Sequence, residues 1–179
     1  RTDMITIKDM AGLATPNETA KIIRKLKEEI NVPIDFHTHC TPGYGLASSY
    51  MAIVNGVDIV DTNLMFFAGG SAAPAYELVY LFCQKLGITI DGNIEIISKL
   101  NKILNDIRIN SLSEVDSYKQ IPIDFDLTKS TLPPEIDSLF DEAVKFAREE
   151  NEEELLKTCH AIEKHFNFPT QNIQVKNAE

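Results

Sequence analysis

Hydrophobic and polar residues follow two different periods near the amino terminus. Residues 4–7 and 33–39 are short runs in which β-branched or alternating side chains are typical of strands. Between them, apolar residues recur at helical spacing up to about Ile30, with charged residues on the other side. Thr15 and Glu18 form a capping box at the start of this segment, and a proline follows the threonine. The pattern predicts a strand, an amphipathic helix and a second strand.

The alternation of strands and helices continues for one more unit. A helix is predicted over residues 45–55, where a glycine follows it, and a third strand over residues 57–61. Lys8, close to the first strand, lies 29 positions before His37 in the second. A parallel βαβ unit takes about 30 residues, and its crossover is right-handed. We therefore expect an α/β fold with a parallel sheet.

The rest of the chain has a helical pattern. Four further helices are predicted, over residues 74–86, 93–108, 135–149 and 152–166. A long polar connection with several prolines, residues 110–134, separates the first two from the last two. We expect an α/β part over residues 1–109 and a helical extension over residues 110–179. The helix over 93–108 has an apolar stripe, made of Ile94, Ile97, Leu100, Leu104 and Ile107.

Composition and charge narrow the classes of partner. The 179 residues carry a formal net charge of -10, which disfavours nucleic acid and anionic membrane surfaces as partners. No apolar run approaches the ~20 residues that a membrane span needs, and the first residues lack the layout of a secretion signal. We expect a cytoplasmic protein without direct membrane insertion. The odd number of cysteines favours reduced thiols, namely Cys40, Cys83 and Cys159.

The ends of the first two predicted strands carry side chains suited to metal binding. Alternate residues of a strand share a face, so His37 and His39 point the same way, and Asp35 has the same parity. Lys8 ends the neighbouring strand. Parallel α/β folds bind their ligands at this carboxyl edge. Two imidazoles suit Zn, Mn, Co or Fe, and a third ligand from an adjacent strand would complete the protein side of the site.

Simpler interpretations of the same residues remain open. The two histidines could be buried and hydrogen-bonded to backbone carbonyls, and Lys8 could pair with Asp9. Cys40 could be a nucleophile or a further ligand, although a small packing residue is the favoured interpretation. His160 and His165 are five positions apart and are expected to be solvated or partly packed. Three carboxylates are expected to be supporting hydrogen-bond acceptors rather than catalytic bases: Asp35, Asp58 and Asp61.

Three blocks of sequence resemble one known family. They are Ile7–Leu13 with Lys8-Asp9-Met10-Ala11-Gly12, Pro33–His39 with His-Thr-His, and Gly56–Thr62 with Val-Asp-Ile-Val-Asp. Together they resemble the carboxyltransferase domain of biotin-dependent enzymes, which include pyruvate carboxylase, the α subunit of oxaloacetate decarboxylase and the carboxyltransferase subunit of transcarboxylase. The resemblance implies the C-terminal part of a TIM barrel, about strands six to eight with their helices. The helical extension resembles, more loosely, the helical region that follows the barrel in some members.

The same resemblance implies a metal site and a reaction. Lys8 would be carbamylated and catalytic, and Lys8, His37 and His39 would bind a divalent metal, Zn, Mn or Co. The metal would stabilise the enolate of pyruvate or oxaloacetate while a carboxyl group passes to or from biotin. Biotin would arrive on a separate carrier protein or domain. The intact enzyme is expected to be a homo-oligomer.

The chain also departs from the family. A complete (β/α)₈ barrel takes about 250 residues, and this sequence begins at the equivalent of strand six. We expect a piece of a larger polypeptide that needs the remainder of the barrel and does not turn over substrate alone. Aldol-type lyases and synthases share the His-x-His motif. At the preceding strand, however, their sequences resemble the pattern Asp-Thr-x-Gly, where this chain has Lys8–Gly12. A non-catalytic interaction fragment, completed by another chain along its open strand edges, is the other alternative.

Overall fold

A computed structural model describes residues 2–111 and 121–168 of the chain. In these ranges three strands form one sheet: β1 (Ile5–Asp9), β2 (Ile34–Thr38) and β3 (Ile59–Val60). A short 3₁₀ helix, Met65–Phe67, follows β3. The α-helices of the described ranges are α1 (Pro16–Glu29), α2 (Gly45–Val54), α3 (Tyr76–Leu86), α4 (Ile94–Ser111), α5 (Pro134–Arg148) and α6 (Glu152–His165).

The sheet is parallel, in the order β1-β2-β3, which confirms the α/β prediction. Its third strand is shorter than the predicted residues 57–61. The Val57 amide donates to the carbonyl of Ala52 in α2, so this residue closes the helix instead of joining the ladder. The amide of Asp61 still donates to the carbonyl of Phe36 in β2. The chain beyond β3 therefore remains beside the end of β2.

Helix α1 begins where the sequence predicts. The Thr15 hydroxyl accepts a hydrogen bond from the Glu18 amide at 3.3 Å, and the Glu18 carboxylate accepts from the Thr15 amide at 3.1 Å. These two bonds are the capping box, which satisfies amides that have no partner within the helix. One face of α1 is buried against α2 and the sheet, in a cluster of Ile23, Ile34, Phe36 and Ala52.

The start of α3 differs from the prediction by two residues. Residues 74–75 are taken up by a parallel bridge, in which the Asn63 amide donates to the carbonyl of Pro74. The Tyr76 amide donates back to the carbonyl of Asn63, and α3 begins at Tyr76. The backbone of residues 74–75 thus pairs with the segment that follows β3, which is why the helix starts late.

Helix α4 buries only part of its predicted apolar stripe. Leu100 and Ile107 are 42% and 47% exposed, whereas Asn101 is buried. The Asn101 amide donates to the carboxylate of Glu77 in α3 at 2.5 Å, and Glu77 is itself fully buried. This hydrogen bond accounts for one polar residue on the inward side of α4. Only the half-buried members of the stripe, Ile94, Ile97 and Leu104, lie toward the protein.

Helices α5 and α6 form an antiparallel hairpin within one residue of the predicted bounds. Residues 121–133 contain no helix or strand, as predicted for the connection. The beginning of that connection is helical up to Ser111, and residues 112–120 lie outside the described ranges. The division into parts at residues 109 and 110 stays a prediction. The hairpin shares one hydrophobic core with α2 and α3, including Tyr50, Leu78, Phe82, Phe140, Ala143, Leu155 and Ile162.

The two faces of the sheet differ in how far other parts of the chain cover them. Ile34 and Phe36 face the helices and are at most 1% exposed. On the opposite face, which we call the open face, lie Thr6, Lys8, Asp35, His37 and Ile59, and Ile59 is 43% exposed. Within the described ranges, no helix is long and apolar enough to cross a membrane.

Candidate metal site

Two imidazole rings converge at the end of β2. The Nε2 atoms of His37 and His39 are 3.1 Å apart, and their ring centroids are 5.1 Å apart. Both residues are half-buried, so they remain reachable from the open face. Since a zinc–imidazole bond is about 2.0–2.1 Å long, two nitrogens on one ion lie within about 4.2 Å of each other. The observed separation suits two ligands of a single cation as well as a hydrogen bond between the rings.

Asp61 fixes the orientation of His37. The Asp61 carboxylate lies 2.8 Å from Nδ1 of His37. A carboxylate only accepts hydrogen bonds, so Nδ1 carries the proton and a neutral ring keeps its lone pair on Nε2. Carboxylate–histidine pairs of this kind orient metal-binding imidazoles. The prediction that Asp61 is a supporting acceptor is confirmed.

Lys8 lies next to His37 on the neighbouring strand. The register of the sheet pairs Lys8 with His37, and the Lys8 side chain is exposed on the open face. The alternative ion pair with Asp9 is not formed. The Asp9 carboxylate instead accepts from the amides of Leu13 and Ala14 and from the Thr38 hydroxyl, at 3.0, 3.0 and 2.9 Å. Lys8 therefore stands beside His37 with its amine not engaged by Asp9.

His, Cys, Asp and Glu side chains alone do not complete a metal site in the described ranges. No group of three or more of these residues there is placed to hold an ion. An unmodified lysine is a cation and not a ligand. The assignment of Lys8, His37 and His39 as metal ligands, and of Lys8 as catalytic, therefore stays a prediction.

The other two carboxylates, Asp35 in β2 and Asp58 just before β3, accept hydrogen bonds from neighbouring segments. Asp58 accepts from the Ile34 amide at 2.8 Å and from Lys27 at 2.5 Å. The hydrogen bond from Lys27, followed by the one from Ile34, lowers the pKa of Asp58. Asp35 accepts from the Thr6 hydroxyl at 3.0 Å, and its second oxygen is buried without a partner. Their predicted role as structural acceptors is confirmed.

Cys40 is a packing residue, as the sequence favoured. It is buried, and burial raises the pKa of its thiol well above the ordinary value. A Cβ atom added at Gly45 would lie 2.6 Å from the Cys40 sulfur, which shows how tightly the thiol is enclosed. A buried neutral thiol is a poor nucleophile and a poor metal ligand. All three cysteines are free and buried.

Two contacts around His39 escaped the sequence analysis. Gly12, with φ of 67°, lies so close to the His39 carbonyl that an added Cβ would be 2.1 Å from its oxygen. His160 of α6 contacts the carbonyl of Gly43 through Nε2 at 3.0 Å, and the two residues are 117 positions apart. The prediction that His160 is partly packed is confirmed. No local signal reveals either contact, because both depend on how distant segments pack.

Comparison with known proteins identifies the family. The profile of the HMGL-like family matches residues 2–104, more than half of the chain. The chain belongs to the HMGL-like family. A pyruvate carboxylase subunit of Methanocaldococcus jannaschii is 37% identical over 119 residues, and one of Methanothermobacter thermautotrophicus is 29% identical over 171 residues. These matches cover 66% and 93% of this chain, but only 20% and 29% of the relatives.

A solved structure supports the same assignment within the HMGL-like family. It is a variant of pyruvate carboxylase from Rhizobium etli, crystallized without acetyl coenzyme-A. Its TM-score is 0.61 at 25% identity, over 66% of this chain and 12% of that one. Aldolases are also similar: 4-hydroxy-2-oxovalerate aldolase of Chloroflexus aggregans is 33% identical over 86 residues, which are 48% of this chain and 25% of the relative.

Proposed function

We propose that this chain is part of a biotin-dependent carboxyltransferase that moves a carboxyl group between biotin and pyruvate or oxaloacetate. Lys8, His37 and His39 hold its divalent metal, Zn, Mn or Co. The observation that carries the proposal is the 3.1 Å approach of the two histidine Nε2 atoms beside Lys8. The similarity to pyruvate carboxylase subunits, of which this chain spans less than a third, supports the choice of reaction.

The donor set fits such a metal in two respects. With Nδ1 bonded to Asp61, His37 offers a free Nε2 lone pair in the neutral state. Lys8 is exposed, so its neutral amine can attack CO₂, lose a proton and become a carbamate. The carbamate replaces a positive charge with an anionic oxygen ligand on the same strand end. Two imidazoles and one such oxygen leave open positions for substrate.

The bound metal would act as a Lewis acid on the keto oxygen of pyruvate or oxaloacetate, which stabilises the enolate. The chain's own residues prepare that site. Asp61 holds the His37 ring in one orientation, and the strand ladder holds Lys8 beside it. The open face leaves the space in front of these groups for the substrate.

The open face also supports the proposal of an incomplete barrel. Parallel sheets are normally covered on both faces, whereas Lys8 and Ile59 are exposed on the open face of the part of the chain that the structure describes. We propose that the strands correspond to about strands six to eight of a TIM barrel, and that the helical extension follows them. The remainder of the barrel, biotin on its carrier and further copies in a homo-oligomer are the proposed partners. By itself the 179-residue chain is expected to show no turnover.

An aldol-type lyase of the same family is the second candidate. The similarity to 4-hydroxy-2-oxovalerate aldolases favours it, since they match nearly half of the chain. Lys8 discriminates the two functions, because only the carboxyltransferase needs a carbamate at that position. The metal-binding histidines would serve in either case.

Metal binding and carbamylation by the purified chain test the proposal. Zinc should bind the chain, more tightly with bicarbonate present, and Ala at His37 or His39 should lower zinc content sharply. Carbon-13 NMR with labelled bicarbonate should show one carbamate signal that is lost in Lys8→Arg. Lys99→Arg, at an exposed lysine of α4, is the matched control. Unchanged zinc content in both histidine variants would refute the metal site, and bicarbonate-independent binding without a carbamate signal would favour the aldolase.

A further inference from the structure

The loop that follows the two histidines is held by the helical hairpin. Residues 40–44 form a turn in which the Gly43 amide donates to the Cys40 carbonyl at 2.9 Å. From the other side, Nε2 of His160 in α6 lies 3.0 Å from the Gly43 carbonyl. A carbonyl only accepts, so His160 is the donor in this bond. A helix distant in sequence thus contacts the segment directly after His39.

Two more contacts hold the same segment from the sheet side. The Cys40 amide donates to the carbonyl of Ala72, in the loop after β3, at 2.8 Å. The carbonyl of His39 rests against Gly12, in the loop after β1. The segment is therefore fixed at three points, by the loops after both neighbouring strands and by α6.

His39 depends on these contacts more than His37 does. His37 lies within β2, where the ladder and Asp61 both hold it. His39 lies one residue beyond the end of β2 at Thr38. Its ring position therefore follows from the backbone of the segment after it. A shift of that backbone would change the Nε2 separation on which shared metal binding relies.

Helix α6, which carries the donor His160, is itself held in place by packing and by a hydrogen bond. Cys159 and Ile162, beside His160 on the helix, are at most 1% exposed in the shared core. The start of α6 is tied to the start of α1, because the Glu152 carboxylate accepts from the Asn17 amide at 2.7 Å. The imidazole of His160 is thus presented to Gly43 by a helix that is itself anchored to the α/β part.

We propose that His160 is a positioning residue for the metal site, which it serves by fixing the Cys40–Tyr44 loop and hence His39. The inference rests on the proposed function in so far as it concerns metal binding. The α5–α6 hairpin then helps to position the metal ligands, although it contributes no ligand itself. Outer groups that orient metal ligands alter affinity by about 10–100-fold, and His160 acts through the backbone, so about a tenfold effect is expected.

Three variants distinguish loss of the hydrogen bond from a change in side-chain volume and from a general loss of stability. His160→Leu keeps most of the volume but removes the donor, and His160→Gln keeps a side-chain N–H. His165→Leu is the control in the same helix, since the His165 ring packs edge-on against Phe166. Cobalt affinity and the cobalt absorption spectrum are measured for each chain. We expect His160→Leu to weaken binding about tenfold and to change the spectrum, and His160→Gln to restore most of both.

Amide hydrogen exchange in the metal-free chain provides a readout that does not need the proposed function. His160→Leu should speed exchange at the Cys40 and Gly43 amides, while the β1–β2 ladder amides stay protected and confirm folding. Unchanged exchange at both amides, or equal cobalt binding by a folded His160→Leu chain, would overturn the inference. His160→Gln binding as weakly as His160→Leu would also overturn it. If the unaltered chain binds no cobalt, the proposed function fails while the exchange result still decides the role of His160.

Discussion

The two faces of the sheet use the same three strands for different purposes. On the covered face, Ile34 and Phe36 pack against the helices and contribute apolar burial. On the open face, Lys8 and His37 stand side by side with their polar groups reachable. Because side chains alternate along a strand, a register shift of one residue would exchange the two sets. The hydrophobic effect on the covered face therefore sets the register, and the register brings Lys8 and His37 together on the open face.

The largest effect is expected on the covered face. Phe36→Ala removes a side chain that is 1% exposed, and such changes cost about 3–5 kcal/mol because they leave a cavity. That loss is a large part of the roughly 5–15 kcal/mol by which a domain is stable, so the urea midpoint followed by circular dichroism should fall steeply. Ile34→Val is a milder variant, expected to lower the free energy of unfolding by about 0.5–1.5 kcal/mol. Losses near zero in urea titrations of both variants would show that this face is not the core.

The second effect concerns the hairpin, where Glu163 is buried. Burial raises the pKa of Glu163 to about 8, against about 4.3 in an unfolded chain. Between those pH values the folded state binds more protons, so the free energy of unfolding falls as pH rises toward 8 and then levels. Glu163→Gln should remove this dependence and stabilise the chain at pH 8 by on the order of a few kcal/mol. Chemical denaturation at pH 5, 6.5 and 8 checks this, with Glu149→Gln at an exposed position as the control. If the free energy of unfolding depends on pH equally in Glu163→Gln and in the unaltered chain, the prediction is contradicted.

On the open face the expected effect lies in metal binding. Asp61→Asn removes the carboxylate that keeps the proton on Nδ1 of His37. Zinc affinity should fall about 10–100-fold, while the urea midpoint stays nearly constant because Asp61 is at the surface. The exposed Asp91→Asn is the matched control in a zinc competition titration. Equal affinity of the Asp61→Asn and unaltered chains would mean that His37 does not need its partner.

The smallest effect is expected at Ile59, an apolar residue on the open face. It is 43% exposed, so Ile59→Ala should change the free energy of unfolding by no more than about 0.5 kcal/mol. The loss for Ile59→Ala is to be set against the loss for Phe36→Ala, which belongs to the covered face. A loss above about 2 kcal/mol would show that the open face is covered in solution, for example by a second copy.

Local signals in the sequence were sufficient for part of the fold and of the site. The Thr15 capping box fixed the start of α1, since its two hydrogen bonds involve residues three apart. The parity of His37 and His39 placed both rings on one side for a similar reason. Spacing typical of a βαβ unit indicated parallel strands. The first two features depend only on neighbours in the chain, and the third depends on the length of one βαβ unit.

Features that depend on distant packing could not be predicted. Asn101 of α4 is buried because it bonds to Glu77 of α3, a contact that apolar periodicity does not reveal. The bond between His160 and Gly43 joins residues 117 positions apart. In both cases a polar partner outside the local pattern determines the outcome. The short β3 has a local cause instead, because the Val57 amide donates to the carbonyl of Ala52 in the preceding helix.

The Asp9 carboxylate has a consequence for how fast and how strongly a cation binds. By accepting from two amides of its own loop and from the Thr38 hydroxyl, it joins the ends of β1 and β2. The spacing between Lys8 and His37 is thereby set before any ion arrives. An ion that enters a preorganised site loses little affinity to the ordering of its ligands. Uptake should then be limited by carbamylation of Lys8 and dehydration of the ion rather than by rearrangement of the strands.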